Sequence, residues 1–544
     1  MSDLDPRQLL EMAQKGELYD EELTHLLNGL DIADLSSLAD FTVKYARQKP
    51  ISFYNSSIDL NDIKCSSIAF HKKAGTDTQK VISNINNLTS GSLRLRVAHQ
   101  ANLFPSLAVA GQVFLMDALA QRIREQYDMT SSQLFIIVDY DVAQDQRFRV
   151  AHLPNVIGEQ GYTPLSSNIA HSLYQKPMWS IEKPSQETLE KWINKIRSLA
   201  IQDVKDLRKA KVYQKVPGTI EENLAVIEEI IRSAFDRAST LVEFNAFILS
   251  QIVNKYWDMP TAFLFGSKIQ SSMQNAYELI IEKWPALAYE AGESGNFFQR
   301  HGLKLKSSIS RSSTEILPLW ITCSTPFGEG KCNQRLALNV SSNVPLRVYS
   351  CCPQCGKEYK FELGSWSKVN LDPIRDLGMA PRILVDNLLD ALALGIAGGV
   401  GYIGQAEHML LTNYITSRPS IDWELPPHAL WRPKGFSFGT TEYRAVMNTW
   451  NTTLSESSRQ KALEALKTVY FGRASILYYL TNIGNLTEPG KQDLLKKSWE
   501  DFFINRRQSV YSANVCSDLS PLPVSDEVIK RLSSYTAKME EGFI

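Results

Sequence analysis

Five of the seven cysteines fall between residues 323 and 355, and four of them make a pattern that a metal ion can use. Cys323 and Cys332 are separated by eight residues, and Cys352-Pro-Gln-Cys355-Gly356 follows after nineteen more. Zinc takes four ligands in a tetrahedron, with sulfur at about 2.3 Å. A Cys-Pro-x-Cys-Gly turn brings two thiolates onto one ion, and its glycine takes the tight backbone. Cys351 lacks this two-residue spacing to Cys355, so Cys352 is the better ligand. Four thiolates leave no open coordination position, so the expected cofactor is a structural zinc held by Cys323, Cys332, Cys352 and Cys355. Clustering of this kind in a large chain without a leader peptide argues for metal rather than disulfides.

A second group of residues is polar and lies on two loops. His99-Gln100 precedes Asn102-Leu-Phe104, and Asp139-Tyr-Asp141 follows a run of apolar residues. His99, Gln100 and Asn102 suit a phosphate or carboxylate, and they equally suit a buried loop anchor. Asp139 and Asp141 suit a cation, an amine to be oriented, or general-base work; one of them also fits a simple turn cap. Gly398-Gly-Val-Gly401 follows another apolar run and precedes an expected helix near Gly404. A glycine turn there would let an activated group or a nucleotide approach the backbone. It is neither a spaced dinucleotide fingerprint nor a Walker loop.

The elements that must carry these residues can be read from periodicity. Leu93-Arg-Leu-Arg-Val97 alternates as a strand, Val109 to Tyr127 is an amphipathic helix, and Leu134-Phe-Ile-Ile-Val138 is a buried strand. Strand, helix and strand make a βαβ unit, whose chemistry sits at the carboxyl ends of the strands. The loops His99–Pro105 and Asp139–Asp145 both follow such strands. Residues 185–300 read as mostly helical, with Ser185 capping one helix and an apolar-periodic segment running to Trp257. Leu336–Val340 and Leu346–Tyr349 read as a hairpin around the cysteines, with Tyr359–Leu363 as a third strand resembling a zinc ribbon.

The fold expected is α/β: a Rossmann-like parallel-sheet core with helical insertions, a small zinc-ribbon-like module and a C-terminal helical region. The expected boundaries are 1–90 for an N-terminal helical segment and 91–180 for the first part of the core. A helical insertion spans 181–314, the cysteine module 315–368, the second part of the core 369–430 and the helical C-terminal region 431–544.

Composition narrows the function. Lys and Arg number 58 against 59 Asp and Glu, a net charge of −1. That balance argues against a protein whose work is coating nucleic acid. The start, Met1-Ser-Asp-Leu-Asp-Pro6, carries no apolar stretch behind a basic flank. Leu384 to Ile403 is interrupted by Asp386 and Asp390. A cytoplasmic protein without a membrane partner is expected.

Three loop motifs, in their order along the chain, resemble the BshC family, the cysteine-adding ligases of bacillithiol synthesis. Ala98-His-Gln-Ala-Asn-Leu-Phe104 is similar to that family's Gly-Gln-Gln-x-Gly-Leu-Phe loop. Val138-Asp-Tyr-Asp141 stands where the family has Glu-Asp-His-Asp after a buried strand. Arg382-Ile-Leu-Val-Asp-Asn387 runs into Gly398-Gly-Val-Gly-Tyr402 as the family's Arg-Pro-x-x-Gln-Asp runs into Gly-Gly-Pro-Gly-Glu. The departures are Asn102 and Pro105 for glycines, Tyr140 for histidine, Asp386-Asn387 for Gln-Asp and Tyr402 for glutamate. The resemblance implies a Rossmann-like core like that of class I nucleotidyltransferases, and C-terminal helices that can form a homodimer. It also implies joining an amino acid to an amine acceptor, with ATP or another nucleotide as a candidate cofactor. On that reading Asp139, Asp141 and His99 are the catalytic candidates. Gln100, Asn102, Arg382, Asp386, Gly398, Gly399 and Gly401 are the candidates for binding substrate or nucleotide. Two other readings stay open: a non-catalytic zinc-ribbon scaffold that binds protein, and an aminoacyl-tRNA-linked enzyme.

Overall fold

The computed structural model describes residues 35–48, 60–90, 92–105, 107–154, 162–209, 220–300, 314–328, 330–402, 411–412, 414–421, 426 and 428–431. The N-terminal helices expected before residue 35, the helix expected near Gly404 and the C-terminal region after residue 431 lie outside them. Ten strands build the two large sheets. In chain order they are β1 (Leu93–His99), β2 (Ser131–Ile137), β3 (Ala262–Phe265), β4 (Ile316–Thr322), β5 (Arg335–Asn343), β6 (Leu346–Cys351), β7 (Glu358–Glu362), β8 (Ala380–Pro381), β9 (Ile396–Tyr402) and β10 (His428–Trp431). The longer helices are α1 (Leu35–Gln48), α2 (Leu60–Ala74), α3 (Gln79–Asn87), α4 (Leu107–Tyr127), α5 (Gln186–Lys209), α6 (Ile220–Arg237), α7 (Leu241–Ser250), α8 (Gln274–Glu282), α9 (Trp284–Arg300) and α10 (Ile383–Leu394).

The first sheet has the order β10-β9-β1-β2-β3, and every neighbouring pair is parallel. Read from the β3 edge and counted along the chain, its strands stand third, second, first, fourth, fifth, which is the doubly wound Rossmann-like order. Helix α4 joins β1 to β2, as the sequence predicts. Burial on both faces explains the composition of these strands. On β2, Phe135 and Ile137 enter one apolar core, and Leu134 and Ile136 enter the other. The period of two delivers alternate side chains to opposite faces. Helices α1, α4, α6 and α7 cover the first face; α3, α8, α9 and α10 cover the second.

Charged residues also sit inside β1. Arg94 is almost fully buried; its Nε–H donates to Leu88 O (2.8 Å) and its Nη1–H to Leu394 O (3.1 Å). Both carbonyls lie at the C-terminal ends of helices, α3 and α10, where a cation meets partial negative charge. Burial lowers the Arg94 pKa from its usual value.

Strand β3 is a finding that periodicity does not supply. It falls within the expected helical insertion, and its four residues are too few to show a pattern. As an edge strand it needs cover, and α2 provides it. Ser67 Oγ–H donates to Phe263 O (2.9 Å), and Phe263 N–H donates to His71 Nε2 (2.8 Å). His71 must stay neutral to accept that bond, and burial pushes its pKa down to about 3. The apolar segment expected to run to Trp257 is broken at Thr240, whose Oγ1 caps α7 by accepting from Glu243 N–H (3.2 Å).

The second sheet has the order β7-β6-β5-β4-β8 and is antiparallel throughout. The expected hairpin and third strand are β5, β6 and β7. Its buried face shares the second apolar core, so Leu336, Leu338 and Val348 are continuous with Leu134 and Ile136 of the parallel sheet. No helix among the described residues is long and apolar enough to cross a membrane.

Candidate active site and metal centre

The two sheets meet at a pocket of about 280 Å3, beyond the carboxyl ends of β2 and β3. Asp139 and Tyr140 line it from β2, and Ser267, Lys268 and Gln270 from the turn after β3. Trp320 and Thr322 of β4, Arg335 of β5 and Gly378 to Ala380 close it from the antiparallel sheet.

Asp139 is 1% exposed. Its Oδ1 accepts Ser267 N–H (2.8 Å), and its Oδ2 accepts the Ser267 hydroxyl. Burial raises its pKa to about 6, against the opposing pull of the Ser267 bonds and the Lys268 charge. A carboxyl group with that value is half-ionised just below neutral pH, where it can take a proton and return it. The loop is pinned from behind, because Trp179 N–H donates to Asp139 O (3.0 Å) and Met178 N–H to Asp141 O (2.8 Å).

Asp141 joins the two sheets. Its Oδ2 accepts Gln100 Nε2–H (2.7 Å); its Oδ1 accepts Val142 N–H (2.9 Å) and Arg335 Nη1–H (2.9 Å). Arg335 lies over the Trp320 ring, 4.5 Å from its centre. Arg382, at the N-cap of α10, lies 5.1 Å from the same centre. Burial, and then the charge of Arg335, lowers the Arg382 pKa.

The structure therefore brings Gln100, Asp139 and Asp141 together, with Arg382 nearby across Trp320. His99 and Asn102 are buried and are not part of the pocket wall. His99 Nδ1–H donates to Gln100 O (2.9 Å). Burial and the charge of Arg147 push its pKa down to about 4, so the ring is neutral at neutral pH. The loop is anchored by Phe104, which packs edge-on against Trp192 and Phe244. The side chain of Asp386 lies outside the described residues.

Gly398 and Gly399 do not form a turn. The apolar run before them is helix α10, and Gly398, Gly399 and Gly401 lie within strand β9. Gly399 pairs with Arg96 on one side and His428 on the other, and Gly401 pairs with Leu430. The physical need is close packing. A Cβ on Gly398 would stand 2.5 Å from Thr42 Oγ1 of α1. Gly398→Ala is expected to cost about 1–3 kcal/mol from overpacking. In urea unfolding, Thr42→Ala should recover most of that loss. Additive effects of the two changes would disprove the contact.

Sequence reasoning misses Ser267, Lys268, Trp320 and Arg335. Only Ser267 and Lys268 leave a trace, since they follow the apolar run Ala262–Phe265 as Asp139 follows its own strand. Arg335 leaves none, because 194 residues separate it from Asp141.

The cysteine cluster stands beside the pocket. The Sγ atoms of Cys323, Cys332, Cys352 and Cys355 all lie within 4.8 Å of one another. Cys323 and Cys355 are 3.5 Å apart, and Cys332 and Cys352 are 3.6 Å apart. A tetrahedron of thiolates around zinc has sulfurs about 3.8 Å apart, so the four are compatible with that ion. Two backbone turns shape them. Cys332 N–H donates to Thr325 O (2.8 Å) and Asn333 N–H to Cys323 O (3.0 Å); Gly356 N–H donates to Cys352 O (2.9 Å). Gly356 has a φ of +71°, the left-handed backbone that the Cys-x-x-Cys-Gly turn requires.

Burial by itself pushes these thiols up: Cys332 reaches about 12, and Cys352 is also raised. For Cys323 the same burial is outweighed by hydrogen bonding with Thr325, Tyr359 and Cys355, which holds it at about 6. Cys351 is exposed and stands apart from the cluster. Thr322, one residue before Cys323, pairs in register with Arg335, three residues after Cys332. The metal turn thus ends where the pocket wall begins.

No family model matches the chain, and no curated protein matches it either.

Proposed function

We propose that this chain is a BshC-like ligase that forms a C–N bond between an amino acid and an amine acceptor, with zinc as a structural ion at the four cysteines. The observation that carries this reading is Asp139, a buried carboxyl group with its pKa raised to about 6 at the carboxyl end of β2. It lies in a pocket that also holds Lys268 and Arg335. An amine attacks only after losing a proton, and on this reading Asp139 accepts it. The amine nitrogen then bonds to the carboxyl carbon of the amino acid as a C–O bond breaks. The departing oxygen keeps the bonding electron pair and would leave attached to the phosphoryl or nucleotidyl group that a bound nucleotide supplies. Asp141, Gln100 and Arg335 form a bonded cluster that fixes the pocket wall and so the placement of the two reactants. ATP or another nucleotide remains the candidate cofactor for activating the carboxyl group. Four thiolates around zinc leave it no open position, which supports a bracing role for the module rather than a catalytic one.

The test is a thermal-shift panel of amino acids and nucleotides on the zinc-loaded chain. A true substrate at 100 times its dissociation constant should add about 2.7 kcal/mol of stability. Stabilisation by one amino acid, lost in Asp139→Asn, is the expected outcome. A panel with no selective ligand would count against the ligase and favour a protein-binding scaffold.

A further inference from the structure

We infer that the pocket beyond β2 and β3 takes a ligand bearing an anionic group, a carboxylate or a phosphate, between Arg335 and Lys268. This rests on reading that pocket as the substrate site, and it adds the charge class of the substrate. The acids in the wall are already engaged. Asp139 accepts both donors of Ser267, and Glu243 pairs with Lys73 and accepts Ser239 N–H (2.7 Å). The cations are only partly engaged: Lys268 acts on Asp139 through its charge alone, and Arg335 binds Asp141 through one nitrogen. Lys268 is exposed at the pocket and makes no ion pair or hydrogen bond among the described residues. Arg382 likewise has no ion pair among them.

Arg335 is the centre of the argument. Its side chain is 13% exposed, and only Nη1 is committed, to Asp141. Its Nε is buried without a hydrogen-bond partner, and Nη2 makes no hydrogen bond among the described residues. An uncommitted buried donor is costly unless a ligand meets it. Nε and Nη2 form one planar edge of the guanidinium, the geometry that matches two oxygens of a carboxylate or phosphate. Asp141 and Trp320 hold the group in one orientation, so that edge is fixed before any ligand arrives. Arg382 lies on the same indole, outside the pocket wall, and adds like charge beside Arg335. The volume, about 280 Å3, admits about nine waters at 30 Å3 each, so the ligand portion held here is small.

The test uses the full zinc-loaded chain and three salts at matched ionic strength: inorganic phosphate, acetate and chloride. A saturable rise in melting temperature with phosphate or acetate, beyond that with chloride, is expected. Lys268→Gln, an exposed site that should not disturb folding, should weaken that binding at least tenfold, and Arg382→Gln should weaken it as well. A response to phosphate alone assigns a phosphate-bearing ligand; a response to acetate alone assigns a carboxylate. No response beyond chloride, or affinities unchanged in both variants, overturns the inference. Anion binding without any ligation would sink the ligase and leave this site standing. Selective amino-acid binding without an anion response would do the reverse.

Discussion

Cys352→Ser should abolish metal binding and unfold the antiparallel sheet, whereas Cys351→Ser should do neither. Zinc binding to a four-thiolate site contributes on the order of 10–16 kcal/mol to folding, more than the whole stability of most domains. A metal-free module would have to bury four thiols in its place. Cys332 and Cys352 tolerate that as neutral groups, but Cys323 is held toward the thiolate by Thr325 and Tyr359 and would lack a cation. The damage should spread beyond the turns. Cys323, Cys332 and Cys352 share one apolar core with Leu336, Leu338, Leu134 and Ile136, so loosening the sheet exposes the second face of the parallel core. Elemental analysis should find one metal ion per chain, lost in Cys352→Ser and kept in Cys351→Ser. Hydrogen exchange in β4 to β7 should rise only in the first. Protection that survives complete chelation would show that the sheet folds without metal. Affinity must also fall with acid, because each thiol has to lose its proton to bind.

The parts of this molecule that were legible in the sequence are those whose signal is local. Strands β1 and β2 and helix α4 announce themselves by period and by continuous apolar runs. The cysteine spacing is a local signal too, since a turn of two residues between thiols has few other uses. Strand β3 failed because four residues, Ala262 to Phe265, carry no period. The glycines of β9 were ambiguous for a different reason. A missing Cβ serves a close ligand and a close helix equally, and only the position of Thr42 shows that a helix is the neighbour at Gly398. The site itself was half legible. Asp139 and Asp141 follow a strand that had to end at the sheet's active edge. Arg335 comes from the other sheet, and nothing in the order of residues says that the two sheets face each other there. His99 illustrates the converse: a residue type suited to chemistry, placed by burial where its ring stays neutral and its Nδ1–H serves the next carbonyl.

On the proposed ligase reading, Asp139→Asn should cost the ligation rate about 10²- to 10⁴-fold, the usual worth of a general base, while leaving the fold intact. The amide can still accept Ser267 N–H, and the Ser267 hydroxyl can turn to accept from the new NH2. The pH dependence makes the prediction sharper. In the folded chain the Asp139 carboxyl titrates at about 6 against an ordinary value of 3.8, so the folded state binds its proton more tightly than the unfolded state does. Stability therefore falls as pH rises from about 4 to about 6, and stays level above. Asparagine carries no such charge and escapes the loss, up to about 3 kcal/mol above pH 6, offset by whatever its altered bonds to Ser267 cost. Activity must run the other way. If Asp139 takes the proton from the amine, kcat/KM should climb with pH up to about 6 and then level, and the climb should vanish in the variant. The pH that favours turnover is thus the pH at which this residue weakens the fold, a conflict that a purely structural carboxyl group has no reason to carry. Wild-type turnover in Asp139→Asn, or a rate that ignores pH between 4 and 7, would remove Asp139 from the chemistry and leave it as the anchor of Ser267.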